Sequence, residues 1–233
     1  MDSFKIVSLL TYYRPHVSGL TLYVERLLEG LARRGHQISV LPSRYSPDLQ
    51  LEEIRNGVRI VRVPVWFRFS KGVFMPRYWK QLVPLCRDAD LLQLNLPNTP
   101  FESISALLAR RRSGVPVAVT YHCDVQLPPS RVNRVVNRGI FAGNRLTAAF
   151  SDQLVAYTDD YAKSSPLLRR FPEKTVVIPP PVLLPQSKSR DVDSFRRRYA
   201  PDGIRLVGFA ARLAAEKGVE YLVEAMQILR RYG

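Results

Sequence analysis

Apolar positions along the chain alternate between two spacings, and the alternation repeats. Residues 4–10 form a nearly continuous apolar run that reads as a buried strand. Leu20, Val24, Leu27, Leu28 and Leu31 then recur at helical spacing, so residues 20–34 are expected to form a helix with one apolar face. Arg33 and Arg34 suit the negative end of its dipole, and Gly35 can adopt the left-handed conformation that ends it. Residues 37–41 read as a second strand, stopped by Pro42. A strand, a helix and a strand in this order predict a right-handed parallel crossover.

The theme continues with interruptions. Residues 43–57 are polar and turn-rich and read as a loop; residues 58–63 read as a third strand. The stretch 64–80 mixes aromatic residues, Trp66 and Trp79 among them, with cations and shows no clean period. Such a mixture suits a membrane interface, or it caps the core beneath a long loop. Strands are expected at 90–94, 115–121, 153–157 and 174–178. Helices are expected at 101–112, 130–150 and from 158–160 through 168. The strand 115–121 delivers His122, Cys123 and Asp124 at its C-terminal end, the edge where open α/β sheets bind ligands.

On the helix 130–150, Arg131, Arg134, Arg138 and Arg145 fall within a sector of roughly 60° at helical spacing. Val132, Val135, Val136, Ile140 and Leu146 lie on a different side. A solvated face is the ordinary meaning of such a pattern. Four arginines without interleaved acids repel one another, so the helix also reads as one that faces an anionic surface.

Pro179, Pro180 and Pro181 stiffen the chain, and the residues after them are polar. The expected organisation is a Rossmann-like domain over 1–180, a linker over 181–190 and the beginning of a second domain over 191–233. That beginning reads as a helix at 193–199, a strand at 204–210, a loop at 211–218 and a helix lined by Val219, Leu222, Val223, Met226 and Leu229. One strand, loop and helix cannot enclose a core, so the second domain reads as cut off soon after it starts. The fold class is α/β: a Rossmann-like parallel sheet with helices on both faces, plus a truncated second Rossmann-like domain.

Charge adds a partner class. Thirty-five Lys and Arg against 20 Asp and Glu give a net charge of +15. This favours nucleic acid, anionic lipid or phosphorylated substrates, unless it reflects only an arginine-rich soluble surface. No nucleic-acid-binding motif is present, so nucleic acid is not an expected partner. Cys86 and Cys123 lack metal-ligand spacing, and His16, His36 and His122 are scattered, so no metal site is expected. No apolar run approaches the roughly 18 residues of a spanning helix. The first residues lack the basic region of a secretion signal. The expected location is the cytoplasm, with peripheral attachment to the inner face of the membrane as an option.

Two turns could hold phosphate. Between the first strand and helix lies Tyr12-Tyr13-Arg14-Pro15-His16-Val17-Ser18-Gly19-Leu20. Gly19 permits close approach to a phosphate, and the helix start behind it offers free N–H groups; a plain turn would also use one glycine. In the loop 211–218, Arg212 and Lys217 could grip a diphosphate between a forked guanidinium and a point-charge ammonium.

In combination these motifs resemble the retaining glycosyltransferases of family 4, which have the GT-B fold and use nucleotide-sugar donors. The segment Tyr13–Leu20 resembles that family's first loop, and Leu31–Val40 its first helix end and second strand. Thr120-Tyr121-His122-Cys123-Asp124 resembles the segment carrying an active-site histidine, and Val176–Val182 the interdomain linker. Phe209–Gly218 is similar to the phosphate-binding loop. The resemblance implies that Arg212 and Lys217 stabilise the departing nucleotide, that Ser18 and Gly19 approach the same diphosphate, and that His122 faces the transferred sugar. It implies a UDP- or GDP-sugar donor, no metal and no cofactor. The acceptor is a glycan or lipid-linked sugar held on the N-terminal side, where Trp66, Trp79 and the four arginines of 130–150 lie. Ser18 and Pro181 stand where relatives commonly have glycine, as does Ala211. The family's carboxylate-bearing motif has no counterpart, so no useful transferase activity is expected of this chain alone. The alternative is a non-catalytic acceptor- or membrane-binding fragment.

Overall fold

The computed structural model describes residues 2–69, 72–125, 127–182, 189–201, 204–211, 213 and 217–232. They divide into two units, Met1–Val182 and Leu183–Gly233. In the first, β1 (Lys5–Leu9) is buried from its second residue onward, as a central parallel strand should be. Ser18 caps α1 (Gly19–Arg33), its Oγ accepting from the Thr21 N–H at 3.1 Å. The chain turns at Gly35, with φ of 90°, into β2 (Gln37–Leu41), parallel to β1.

The polar stretch after β2 is not one loop. It holds β3 (Ser43–Arg44) and β4 (Glu52–Arg55), and β4 pairs antiparallel with β5 (Val58–Val61). Asn56 and Gly57, at φ of 49° and 80°, make the two-residue turn between them. An Asn-Gly pair favours this turn because both positions need positive φ. The expected strand 58–63 divides at Arg62, and its end forms β6 (Val63–Pro64), which pairs with β3. The aromatic stretch becomes an antiparallel hairpin, β7 (Phe67–Phe69) and β8 (Gly72–Phe74), followed by α2 (Tyr78–Cys86). Tyr78, Leu82, Val83 and Cys86 of α2 are buried, a helical spacing that the surrounding aromatics and cations obscure.

Next come β9 (Leu91–Leu96) and α3 (Pro100–Ser113), which opens with a capping box between Thr99 and Glu102. Then follow β10 (Val117–Tyr121), α4 (Arg131–Phe150), β11 (Gln153–Ala156), α5 (Asp159–Ser164) and β12 (Thr175–Val177). α5 ends at Ser164 and not at Leu168, because Pro166 has no N–H and drives the preceding residue to extended backbone.

The sheet order is β12-β11-β10-β9-β1-β2-β5-β4, parallel except for the β4–β5 pair. Neighbouring positions on β1 face opposite sides: Ile6 joins a cluster with Val24 and Leu28 of α1, while Val7 joins one with Leu82 of α2 and Ala106 of α3. Helices therefore cover both faces. The chain order reverses between β1 and β9, which makes the C-terminal ends of these strands the switch point of the sheet.

The second unit contains α6 (Ser189–Tyr199) and α7 (Val219–Tyr232). Residues 204–210, expected as a strand, form none. A strand exists through its ladder partners, and the described residues supply none here.

Candidate functional site

The first loop is held from beneath. Arg14 makes a forked pair with Glu25 of α1, Nε to Oε1 at 2.7 Å and Nη2 to Oε2 at 2.5 Å. Arg62, only 2% exposed, donates to the carbonyls of Arg14 at 3.0 Å and Gln50 at 2.9 Å and pairs with Glu53 at 2.5 Å. Tyr13 is buried in the core below α1. These ties leave Gly19 exposed at the helix start, with no atom within 4 Å of where a side chain would begin.

His122 follows β10 and lies across the switch point. Its Nε2 is 2.9 Å from Oδ1 of Asn95, at the end of β9, and its Nδ1 is hydrogen-bonded to the hydroxyl of Tyr157, which follows β11. The ring of Tyr23 on α1 meets it edge-on at 5.0 Å. Asn95 belongs to a buried polar row: its Nδ2 donates to the Leu9 carbonyl at 2.9 Å, Gln93 Nε2 donates to its Oδ1 at 3.1 Å, and Ser8 Oγ donates to Gln93 Oε1 at 2.5 Å. Burial lowers the His122 pKa to about 4, so the ring is neutral at physiological pH. Three strand ends and α1 thus converge on one imidazole.

Asn95, Tyr157 and Tyr23 were not singled out in the sequence. The alternation of Gln93 and Asn95 within an apolar strand was the available signal.

The arginines of α4 separate into two settings. Arg131, Arg134 and Arg138 line a cavity of about 810 Å³ with Tyr121, Asp124 and Phe141; Arg145 does not. Among the described residues none of the four has a carboxylate partner. Beside them Val132 and Val135 are 72% and 68% exposed, with Val136 and Leu146 also at the surface. Among the described residues no helix is long and apolar enough to cross a membrane.

Trp66 and Trp79 do not share a surface feature. Trp66, 63% exposed, lines a groove of about 740 Å³ with Arg44, Tyr45 and Arg68, whereas Trp79 lies against Lys80 and Arg112. Rings connect the groove to the first loop: Tyr45 to Tyr12 at 5.6 Å and Tyr12 to His16 at 5.0 Å. Arg212 lies outside the described residues. Lys217 is exposed in the second unit.

The glycosyl transferase 4-like domain family matches residues 18–181. The GDP-mannose-dependent alpha-mannosyltransferase of Mycolicibacterium smegmatis is 29% identical over 227 residues, covering 90% of this chain and 56% of that protein. The structure of Anabaena HepE in complex with UDP and glucose is similar at a TM-score of 0.62 and 17% identity, over 96% of this chain and 57% of the other. The sucrose-phosphate synthase of Thermosynechococcus elongatus gives a TM-score of 0.64 at 17% identity, over 96% and 59%. The chain spans little more than half the length of these proteins. With its family match extending over most of the first unit and its sheet shared with these structures, the chain belongs to the glycosyl transferase 4-like family of GT-B glycosyltransferases.

Proposed function

We propose that this chain supplies the acceptor side of a retaining glycosyltransferase that moves a hexose from a UDP- or GDP-sugar to an acceptor. The observation that carries this reading is the convergence of His122 and the α1 N-terminus at the C-terminal edge of the sheet. In it, residues 1–180 are the acceptor-side domain, 181–190 the linker and 191–233 the beginning of the donor domain. Ser18 and Gly19 bring the start of α1 toward the donor diphosphate. Arg212 and Lys217 neutralise that diphosphate as the nucleotide leaves, with no metal needed for the role. His122, neutral and fixed, orients the transferred sugar. The M. smegmatis relative's name specifies GDP-mannose, and HepE was solved with UDP, so both nucleotides are retained as donors.

The acceptor in this reading is a glycan or a lipid-linked sugar, reached from the cytoplasmic face of a membrane. Support comes from α4, where arginines with no carboxylate partner among the described residues run beside exposed valines, the arrangement of a helix lying in an anionic interface. The test is transfer from a panel of UDP- and GDP-sugars, assayed with this chain and with the longest open reading frame that contains it. Turnover that is abolished by Lys217→Ala and strongly reduced by His122→Ala supports the reading. Turnover indifferent to both overturns it. A second reading, a non-catalytic module that binds acceptor or membrane, draws on the same α4 surface; vesicle binding without turnover by either form would favour it.

A further inference from the structure

The groove beside Trp66 has a braced aromatic wall. The Trp66 N–H donates to the Phe74 carbonyl at 2.9 Å, which fixes the entry to the β7–β8 hairpin. The Phe74 ring lies 6.3 Å from that of Trp66, stacks on Phe67 at 4.7 Å and meets Phe101, at the start of α3, edge-on at 4.8 Å. These rings brace one another, yet Trp66 and Phe67 stay 63% and 57% exposed. Residues 44–47 also line the groove. Arg44 holds them, its Nε donating to the Leu49 carbonyl at 2.7 Å and its Nη2 to the Pro47 carbonyl at 2.6 Å. Arg68 lays its guanidinium over the Tyr45 ring at 5.7 Å and has no carboxylate partner among the described residues.

We propose that this groove is a carbohydrate-stacking subsite for a sugar unit other than the one that reacts, so that its ligand is an oligosaccharide of at least two units. The chemistry of the walls selects the ligand. An acyl or isoprenoid chain would cover the rings and leave the guanidinium and hydroxyl groups beside them without partners. A pyranose serves both: its C–H face lies on an electronegative ring face, and its hydroxyls accept from a guanidinium. The groove, at about 740 Å³, falls within the roughly 300–1,000 Å³ of ligand pockets and has room for more than one hexose. Its position selects the unit. Tyr45 joins Tyr12 at 5.6 Å and His16 at 6.0 Å, so a row of rings leads from the groove into the loop that presents Gly19. A sugar stacked on Trp66 lies beyond that row, and the next unit reaches back along it. Trp66 supplies the stacking face, Arg68 the hydrogen bonds, and Arg44 positions the facing segment. Naming the oligosaccharide as the acceptor rests on the proposed function; carbohydrate binding in the groove does not.

The chain has two tryptophans, so Trp79→Phe leaves Trp66 as its single indole. Trp79 lies against Lys80 and Arg112, away from the groove, and its replacement should leave sugar affinity unchanged. Manno- and gluco-oligosaccharides of one to four units are titrated against this variant. They should perturb Trp66 emission, with affinity in at least one series rising about threefold or more from the single sugar to the disaccharide. By ligand-observed NMR, Trp66→Ala should weaken that binding about tenfold, while Trp66→Phe keeps most of it. Silence of Trp66 toward every sugar, or affinity unchanged in Trp66→Ala, overturns the subsite. A blue shift of Trp66 on phosphatidylglycerol vesicles without any response to sugars overturns it too, and makes the ring a membrane anchor. If transfer to a single sugar equals transfer to its oligomers and survives Trp66→Ala, the subsite fails and the transferase reading stands. With oligosaccharides bound through Trp66 but no turnover of any nucleotide sugar, the subsite stands and the transferase reading fails.

Discussion

The guanidinium of Arg62, buried at the junction of β5 and β6, donates to the backbone carbonyl of Arg14 in the loop ahead of α1. One side chain thereby ties the far half of the sheet to the loop that presents Gly19. Arg62→Ala leaves the Gln50 and Arg14 carbonyls and Glu53 without their donor. Loss of roughly 2 kcal/mol or more of stability is expected, read as a lower urea midpoint. Arg62→Lys should recover only part of it, since an ammonium cannot span the same fork.

Acid should weaken the first unit through His122. Its folded pKa of about 4 lies below the ordinary histidine value of 6.5, so between these pH values the unfolded chain binds more protons. Stability contributed by the neutral ring is full above about pH 6.5 and is lost as pH falls toward 4, by up to roughly 3 kcal/mol. Urea unfolding at pH 7.5 and pH 4.5 should show a smaller pH-dependent loss for His122→Asn than for the parent.

Asn95→Leu removes the acceptor that holds Nε2–H. A mixture of His122 tautomers is the expected result, seen by long-range ¹H–¹⁵N correlation of the ¹⁵N-histidine-labelled chain, together with destabilisation of roughly 1–3 kcal/mol as the Leu9 carbonyl loses its side-chain donor.

If α4 lies on an anionic surface, the chain should sediment with vesicles containing phosphatidylglycerol and leave them as salt is raised. Reversing Arg131 and Arg134 to Glu should weaken the partition by at least about fivefold per site, from roughly 1 kcal/mol for each basic residue near the surface. Val132→Asp and Val135→Asp should weaken it as well. Equal affinity for duplex DNA would indicate nonspecific attraction to polyanions instead.

Gly57→Ala tests the β4–β5 turn. At φ of 80° a side chain is strained, and its first carbon would lie 3.2 Å from Cβ of Ala32. A loss of about 1 kcal/mol or more is expected, measured as a lower Tm.

The parallel core was legible because its strands are short apolar runs between turn residues. α1 was legible because its leucines keep strict helical spacing. β4 was missed although Asn56-Gly57 announces a hairpin, because Glu52, Glu53 and Arg55 offer no apolar alternation. α2 was missed because its buried face begins inside a run of aromatics and cations. In the site, His122 could be marked by its position at a strand end. Its partners could not, since Asn95, Tyr157 and Tyr23 arrive from two other strands and a helix. Proximity of that kind comes from sheet order, which the strand pattern alone leaves open.

The two outer strands of the sheet bear on self-association. β4 exposes Glu52 and Arg55, charges that discourage another chain from adding there. β12 presents the exposed apolar Val176 and Val177, and Ile178 follows, a template open to β-addition. Immediately beyond come Pro179, Pro180 and Pro181, none of which has an N–H to give. Residues first noticed as a connector therefore also act as gatekeepers, limiting that edge to a few residues and opposing edge-to-edge polymerisation.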